Sequence, residues 1–176
     1  MSGLLLGSSV SSVHQWRIIM NRRSISFAGI SLAALGWGAR LAEAGAFEVT
    51  KSDEEWKKIL SPEAFAVLRQ ESTERPFTSK LLDEHRKGTF NCAGCELAAF
   101  SSDQKFDSGT GWPSFFDTLP NAVAKKDDNT LFAARTEVHC SRCGGHFGHV
   151  FDDGPKPTGL RYCMNGVALK FAAATA

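Results

Sequence analysis

Four cysteines in two C-x-x-C pairs set the strongest limit on the fold of this chain. Cys92-Ala93-Gly94-Cys95 and Cys140-Ser141-Arg142-Cys143 stand 44 residues apart. Two thiolates at this spacing reach one ion from a tight turn. Two such turns brought together give the tetrahedral four-sulfur site that suits zinc. Gly144, after the second pair, has the backbone freedom such a turn needs, and Glu96, after the first, does not. Two other readings compete. A thioredoxin-type redox pair calls for a βαβ context, which the sequence lacks. Two structural disulfides gain weight if the protein is exported. The expectation is one structural zinc held by Cys92, Cys95, Cys140 and Cys143. With four cysteine ligands the site is closed and does no chemistry. Its work is to tie residues 88–100 against residues 137–147.

The pattern around the cysteines is that of a mainly β domain. The runs 88–91, 131–139, 147–151, 160–164 and 167–171 are separated by Gly, Pro, Asp and Asn, and read as strands joined by turns. No βαβ alternation appears, so the strands are expected to pair antiparallel. Residues 45–87 read as helical. Ser52-Asp53-Glu54-Glu55 is a capping box, and Trp56, Ile59 and Leu60 follow at helical spacing. Ser61-Pro62-Glu63 opens a second helix, with Phe65 and Leu68 as its buried face.

The first 42 residues contain no Asp or Glu but carry Arg17, Arg22, Arg23 and Arg40. Asn21-Arg22-Arg23-Ser24 precedes a mildly apolar run and then Ala42-Glu43-Ala44, a small-x-small pattern. This order reads residues 1–46 as a bacterial export signal of the twin-arginine type, leading to the periplasm. Met20 is then a second candidate start. An organelle transit peptide is the alternative. The run is too short and polar for a membrane span, so no stable membrane association is expected. Cleavage after Ala44 leaves 16 basic and 18 acidic residues. That balance argues against a nucleic-acid partner, which normally shows as a basic stripe. No long apolar stripe demands a second subunit, so a monomer is expected.

The fifth cysteine, Cys163, has no C-x-x-C partner. It sits in Arg161-Tyr162-Cys163-Met164-Asn165-Gly166, inside an expected strand. A lone strand cysteine is most simply a small buried apolar residue. Its neighbours favour another use. Arg161, Cys163 and Asn165 are two apart and in a strand share one face. A cation beside a thiol favours the nucleophilic thiolate. His146-Phe147-Gly148-His149 adds two imidazoles close together, which alone are more often structural. Together they suggest a thiol nucleophile with proton donors.

FNCAGC, FDSGTGWPSF, RTEVHCSRCGGHFGHVFDDGP and GLRYCMNG, in that order, resemble the methionine-R-sulfoxide reductases of the B class. The likeness runs from about Lys51 to Phe171, so residues 47–174 are taken as the reductase domain. It implies two antiparallel sheets in a compact barrel-like or tent fold, short N-terminal helices and a four-cysteine zinc. It implies that Cys163 attacks the sulfoxide sulfur while His146, His149 and Asn165 surround the oxygen, with His149 the more direct proton donor. Arg161 lowers the thiol pKa. Trp112 walls the pocket against the sulfoxide methyl, and Phe151 belongs to the same substrate site. The implied substrates are oxidised proteins carrying methionine-R-sulfoxide.

The chain departs from that pattern at one telling position. Many members carry a resolving cysteine where this chain has Thr110. With four cysteines committed to metal, the expected sulfenic acid on Cys163 needs an outside reductant: a thioredoxin-like protein, a glutaredoxin-like protein or a small thiol. Two rival functions remain at this point. A zinc-ribbon binding module explains the C-x-x-C pairs but not Cys163, the histidines or Trp112. A redox sensor that uses Cys163 without sulfoxide turnover fits the same residues.

Overall fold

Serines open both α-helices among the described residues of the protein, whose computed structural model describes residues 47–129 and 134–175. The expected export or transit segment, and the start of the 131–139 run, lie outside the described residues. Ser52 Oγ accepts from the Glu55 N–H and the Glu55 carboxylate accepts from the Ser52 N–H, a reciprocal capping box that starts α1 (Asp53–Ile59). Ser61 caps α2 (Pro62–Gln70), where Pro62 fills a first-turn position that needs no N–H donor. Trp56, Leu60, Phe65 and Leu68 are buried. Ile59, expected beside them, is 52% exposed, because Trp56 and Leu60, four apart, already define the inner face of this two-turn helix. The helical reading of 45–87 fails after Gln70. Glu71 turns left-handed (φ 53°) and ends α2. Residues 71–87 then run as turns and extended chain through Pro76, which bars the preceding residue from helix.

The remaining chain forms β1 (Gly88–Cys92), β2 (Ala98–Ser101), β3 (Lys105–Phe106), β4 (Ser114–Phe115), β5 (Val123–Asp128), β6 (Arg135–Cys140), β7 (His146–Phe151), β8 (Arg161–Met164) and β9 (Leu169–Ala173). They make two antiparallel sheets: β2-β1-β9, and β3-β4-β8-β7-β6-β5. Four strands have no counterpart in the sequence reading. β3 and β4 are two residues each, too short to show alternation. β2 is a small-residue run next to a cysteine turn. β5, Val-Ala-Lys-Lys-Asp-Asp, is polar because it is the sheet edge, where charged side chains discourage further pairing.

The core lies between the sheets. Phe90 and Phe100 from the small sheet meet Phe115, Phe147 and Tyr162 from the large one. Phe100 stacks on Phe115 with centroids 4.4 Å apart. Strand alternation then decides what faces away. On β8, Tyr162 and Met164 point into the core, so Arg161 and Cys163 point to the opposite face. The core fixes the orientation of the free thiol.

Candidate active site and cysteine cluster

Both C-x-x-C turns fold alike. Glu96 N–H donates to Cys92 O and Gly144 N–H to Cys140 O, each at 2.9 Å. Cys92 N–H donates to Leu97 O and Cys140 N–H to Gly145 O. Glu96 (φ 63°) and Gly144 (φ 68°) take the same left-handed step. The sequence expectation that Glu96 weakens the first turn is therefore corrected: Glu96 adopts the glycine conformation, at a modest local cost. At Gly144 glycine is required twice over, since a Cβ would stand 2.2 Å from the Phe47 ring. The turns bring the four sulfurs within 4.8 Å of one another. Cys92–Cys143 and Cys95–Cys140 are 3.6 and 3.4 Å apart. Four sulfurs around one ion at about 2.3 Å stand about 3.8 Å from each other, whereas a disulfide needs about 2.05 Å. The cluster has the shape for a metal ion. Crowding among the thiols, led by hydrogen bonding with Cys140, lowers Cys95 and raises Cys92 and Cys143. A cation at the centre removes that conflict, because it binds all four as thiolates. Trp56 beside Gly94 and Leu68 beside Gly145 roof the cluster, so the helices brace it.

Cys163 lies on the other face of the large sheet, half-buried at the base of a cleft. Register defines its neighbours. Ser114, Cys163, His149, Glu137 and Lys126 are opposite one another in turn across β4, β8, β7, β6 and β5. They form one row of side chains on one face. Gly148 permits this closeness: a Cβ there would sit 2.2 Å from Cys163 O. Thr110 stands over the thiol with Oγ1 3.8 Å from Sγ. It heads a hydroxyl chain, Thr110–Ser108 at 2.8 Å and Ser108–Ser114 at 2.7 Å.

The two histidines share a face only because β7 is bulged. Val138 pairs with Gly148 while His139 pairs with His146, so Phe147 is the extra residue. The rings of His146 and His149 meet at 5.5 Å. His149 Nε2 lies 2.8 Å from Asp128 Oδ2, which also accepts from Arg135 at 2.7 Å. His146, 3% exposed, has Nδ1 2.7 Å from Glu137, and its Nε2 has no partner among the described residues. Burial lowers the His146 pKa against the opposing pull of Glu137. Glu137 is 4% exposed, and burial raises its pKa. Its contacts with His146 and with Lys126, at 2.9 Å, outweigh that and hold it below the usual carboxylate range.

Arg161 reaches Asp153 through two bonds of 2.8 Å and lies 4.4 Å over the Phe151 ring. Asp153 first, and the Cys163 sulfur after it, raise the guanidinium's pKa. Phe151 therefore supports the arginine as well as lining the cleft. Asn165 departs from the expected geometry. β8 ends at Met164, and Asn165 begins a short 3₁₀ turn, 166–168. Its Nδ2 donates to Phe147 O and its Oδ1 accepts from Glu74 N–H, both at 2.9 Å. One amide proton is left for the cleft.

Glu74, absent from the sequence reading, ties this rim together. Its carboxylate accepts from Gly166 and Val167 N–H, and its carbonyl accepts from Trp112 Nε1 at 3.1 Å. Burial raises its pKa. The cleft, about 140 Å³, runs from Trp112 and Thr73 to His149, Phe151 and Asn165, with Cys163 between them. Thr73, Glu74, Asp128, Arg135 and Glu137 all escaped the sequence reading. Glu137 alternates with the core residue Val138 and so reads as an outward-facing acid; it is buried only by its neighbours on the Cys163 face.

A free thiol in a cleft beside proton-bearing rings, on a fold braced elsewhere by a sulfur cluster, is the layout of a thiol-based oxidoreductase. The SelR-domain family profile matches residues 60–173. The chain belongs to that family, the B-class methionine sulfoxide reductases. Peptide methionine sulfoxide reductase MsrB of Methanosarcina barkeri is 57% identical over 124 residues, which cover 70% of this chain and 87% of the relative. The MsrB of Leptospira interrogans is 54% identical over 126 residues, 71% of this chain and 96% of the relative. That of Agrobacterium fabrum is 50% identical over 125 residues, 70% and 93% of the two chains.

Proposed function

We propose that Cys163 is the nucleophile that reduces the R diastereomer of protein-bound methionine sulfoxide. The coarser statement needs no proposal: this is a methionine sulfoxide reductase of the B class. The carrying observation is the row Ser114–Cys163–His149, which sets a free thiol directly across from an imidazole in a cleft walled by Trp112.

The cleft supports a three-sided grip on a chiral sulfur. The Trp112 indole, fixed by its bond to Glu74 O, offers an apolar face for the methyl group. His149 and the remaining amide proton of Asn165 stand for the oxygen. The Cys163 thiolate attacks the sulfur from the third side. A sulfur–sulfur bond begins to form as the oxygen gains a proton. The hydroxyl then passes from the substrate sulfur to the Cys163 sulfur; the old sulfur–oxygen bond and the new sulfur–sulfur bond break, the substrate sulfur keeps the sulfur–sulfur electron pair and leaves as the thioether, and Cys163 becomes a sulfenic acid. Two external thiols return it to the thiol, releasing water and a disulfide. His149 is favoured as donor by its place opposite Cys163, with Asp128 holding its Nε2. His146, one bulge behind, fits a role in orienting that ring. Arg161 shares the Cys163 face of β8, and its pairing with Asp153 aims the guanidinium.

Zinc is the ion we assign to Cys92, Cys95, Cys140 and Cys143. Four close thiol sulfurs are the donor set it prefers, and when bound it fastens β1 to the β6–β7 turn. A thioredoxin-like protein, a glutaredoxin-like protein or a small thiol is the proposed reductant, because Thr110 occupies the place of a resolving thiol. Residues 1–46 are proposed as an export signal to the periplasm, on their composition. No described helix is long and apolar enough to cross a membrane.

The test is turnover of the two diastereomers of a peptide methionine sulfoxide with dithiothreitol, comparing wild type with Cys163→Ser. Reduction of the R form alone, abolished in the variant, is expected. Turnover that survives in the variant refutes the assignment of Cys163. Absence of turnover by folded, metal-loaded wild type brings forward the sensor reading, which a peroxide-formed sulfenic acid then tests.

A further inference from the structure

The turn that covers Cys163 has a second side. Thr110 faces the thiol, while Gly109, Gly111 and Trp112 line a separate cavity of about 240 Å³. Phe77, Phe106 and Pro113 complete its apolar wall, and Asp83 and Asp107 stand among its lining residues. Trp112 lines both this cavity and the thiol cleft, so the two are neighbours.

Three observations point to a ligand. Phe77 is 69% exposed, an unusual position for a large aromatic side chain. Its backbone is left-handed (φ 62°), which disfavours any non-glycine residue, yet it is held so by Phe77 N–H donating to Gly111 O at 2.7 Å. The ring packs over Gly111, where a Cβ would stand 2.9 Å from it, and lines the cavity. Asp83 and Asp107 are both exposed, and among the described residues neither makes an ion pair with a cation. Lys105 and His85 line the cavity as well; the Lys105 ammonium donates to Leu82 O at 2.7 Å and feels both carboxylates from beyond ion-pair distance. Two carboxylates thus face one ammonium beside an aromatic wall.

We propose that this cavity is a flanking subsite that takes a lysine or arginine side chain close in sequence to the methionine sulfoxide of a polypeptide substrate. The inference rests on the thiol cleft being the sulfoxide site. The aliphatic stem of the basic residue lies along Phe77 and Trp112, and its charged head meets Asp83 and Asp107. A polypeptide whose oxidised methionine enters the thiol cleft passes the Trp112 rim, which brings its neighbouring side chains to this mouth. Free methionine sulfoxide cannot use the subsite, and an acidic flank is repelled from it.

The experiment measures steady-state reduction of three peptides by the full chain with dithiothreitol. Each peptide carries one methionine-R-sulfoxide, flanked on both sides by Lys, by Ala or by Glu. The KM for the Lys peptide is expected to be about five-fold below that for the Ala peptide, the scale of two exposed charge pairs, with the Glu peptide weaker still. High salt is expected to erase the differences. In Asp83→Asn/Asp107→Asn the Lys-to-Ala ratio falls to about one, and Phe77→Ala reduces it. Equal KM values for all three peptides overturn the subsite while leaving the thiol cleft as the reaction site. A Lys preference that persists in the double Asn variant also overturns it. Failure of every R-sulfoxide peptide to turn over removes both the subsite and the reading it rests on.

Discussion

Thr110→Cys places a second thiol where the hydroxyl now stands. Thr110 Oγ1 is 3.8 Å from Cys163 Sγ, and a disulfide needs about 2.05 Å, so under about 2 Å remains to be closed. The turn has room on one side: a Cβ at Gly109 would meet nothing within 4 Å, while Gly111 is packed against Pro76 and Phe77. A bond between positions 110 and 163 closes a loop of about 54 residues, which in the chain-entropy account stabilises the oxidised form by about 4 kcal/mol. At about 3 °C per kcal/mol that is a rise of about 12 °C in Tm. The assay is one equivalent of peptide methionine-R-sulfoxide without reductant, then dimedone, thiol counting and mass spectrometry. Wild type should lose one thiol and carry the dimedone adduct on Cys163. The variant should lose two thiols, carry no adduct and show the raised Tm, reversed by dithiothreitol. A variant that still traps dimedone at the wild-type yield would refute the placement of Thr110 over the thiol. A wild-type disulfide between Cys163 and any cluster cysteine would refute the need for an external reductant.

Chelation should release one zinc per chain and unfold the β1 and β6–β7 region. The expected loss is several kcal/mol, since metal binding is coupled to folding; circular dichroism during titration with a zinc-sensitive chelator reads it. Glu74→Gln keeps the shape but turns an amide N–H toward the Gly166 or Val167 N–H. Its KM for the R-sulfoxide should rise about five-fold, about 1 kcal/mol, and its R-over-S preference should fall with it; an unchanged preference would mean that the Glu74 carboxylate is not what keeps the backbone carbonyl in place under Trp112. Acid should weaken the fold in two stages. The His146 pKa is depressed, so the unfolded chain binds the extra proton, and stability present above pH 6.5 is lost as pH falls toward the folded value. The Glu137 pKa is lowered too, so its contribution, present above about 4.5, is lost lower still. Glu74 has a raised pKa and acts oppositely, losing its contribution as pH rises through its folded value. The urea midpoint should therefore fall between pH 7 and 5 in wild type and fall less in His146→Asn.

Some of this molecule was legible in one dimension because its signals are local. A capping box is written in four residues, and Ser52 to Glu55 folds as it reads. A C-x-x-C turn is likewise local, and two copies imply their own meeting point. Strand alternation put Arg161 and Cys163 on one face of β8, with Tyr162 and Met164 in the core behind them. The failures have a common cause in contacts between distant segments. β4 is two residues long and exists because β8 and β3 flank it. Residues 71–87 hold no regular structure, yet their placement is tight, because Glu74 bonds to Trp112, Asn165, Gly166 and Val167. No spacing rule links position 74 to positions 112 and 165.

The same distinction separates the residues proposed to react in the cleft from those that hold them. Cys163, the two histidines and Arg161 sit within motifs that announce their chemistry. Their partners do not. His149 is held by Asp128, an edge-strand residue in a polar run. His146 is held by Glu137, which the register of β6 and β7 brings to it across a bulge. Without Glu137, His146 would lose both the partner of its Nδ1 and the group that opposes the effect of burial on its pKa. A sequence names a nucleophile more readily than it names the charges that set the nucleophile's surroundings. The nucleophile is defined by its own chemistry, while those charges act only once the sheet has aligned Ser114, Cys163, His149, Glu137 and Lys126 in one row.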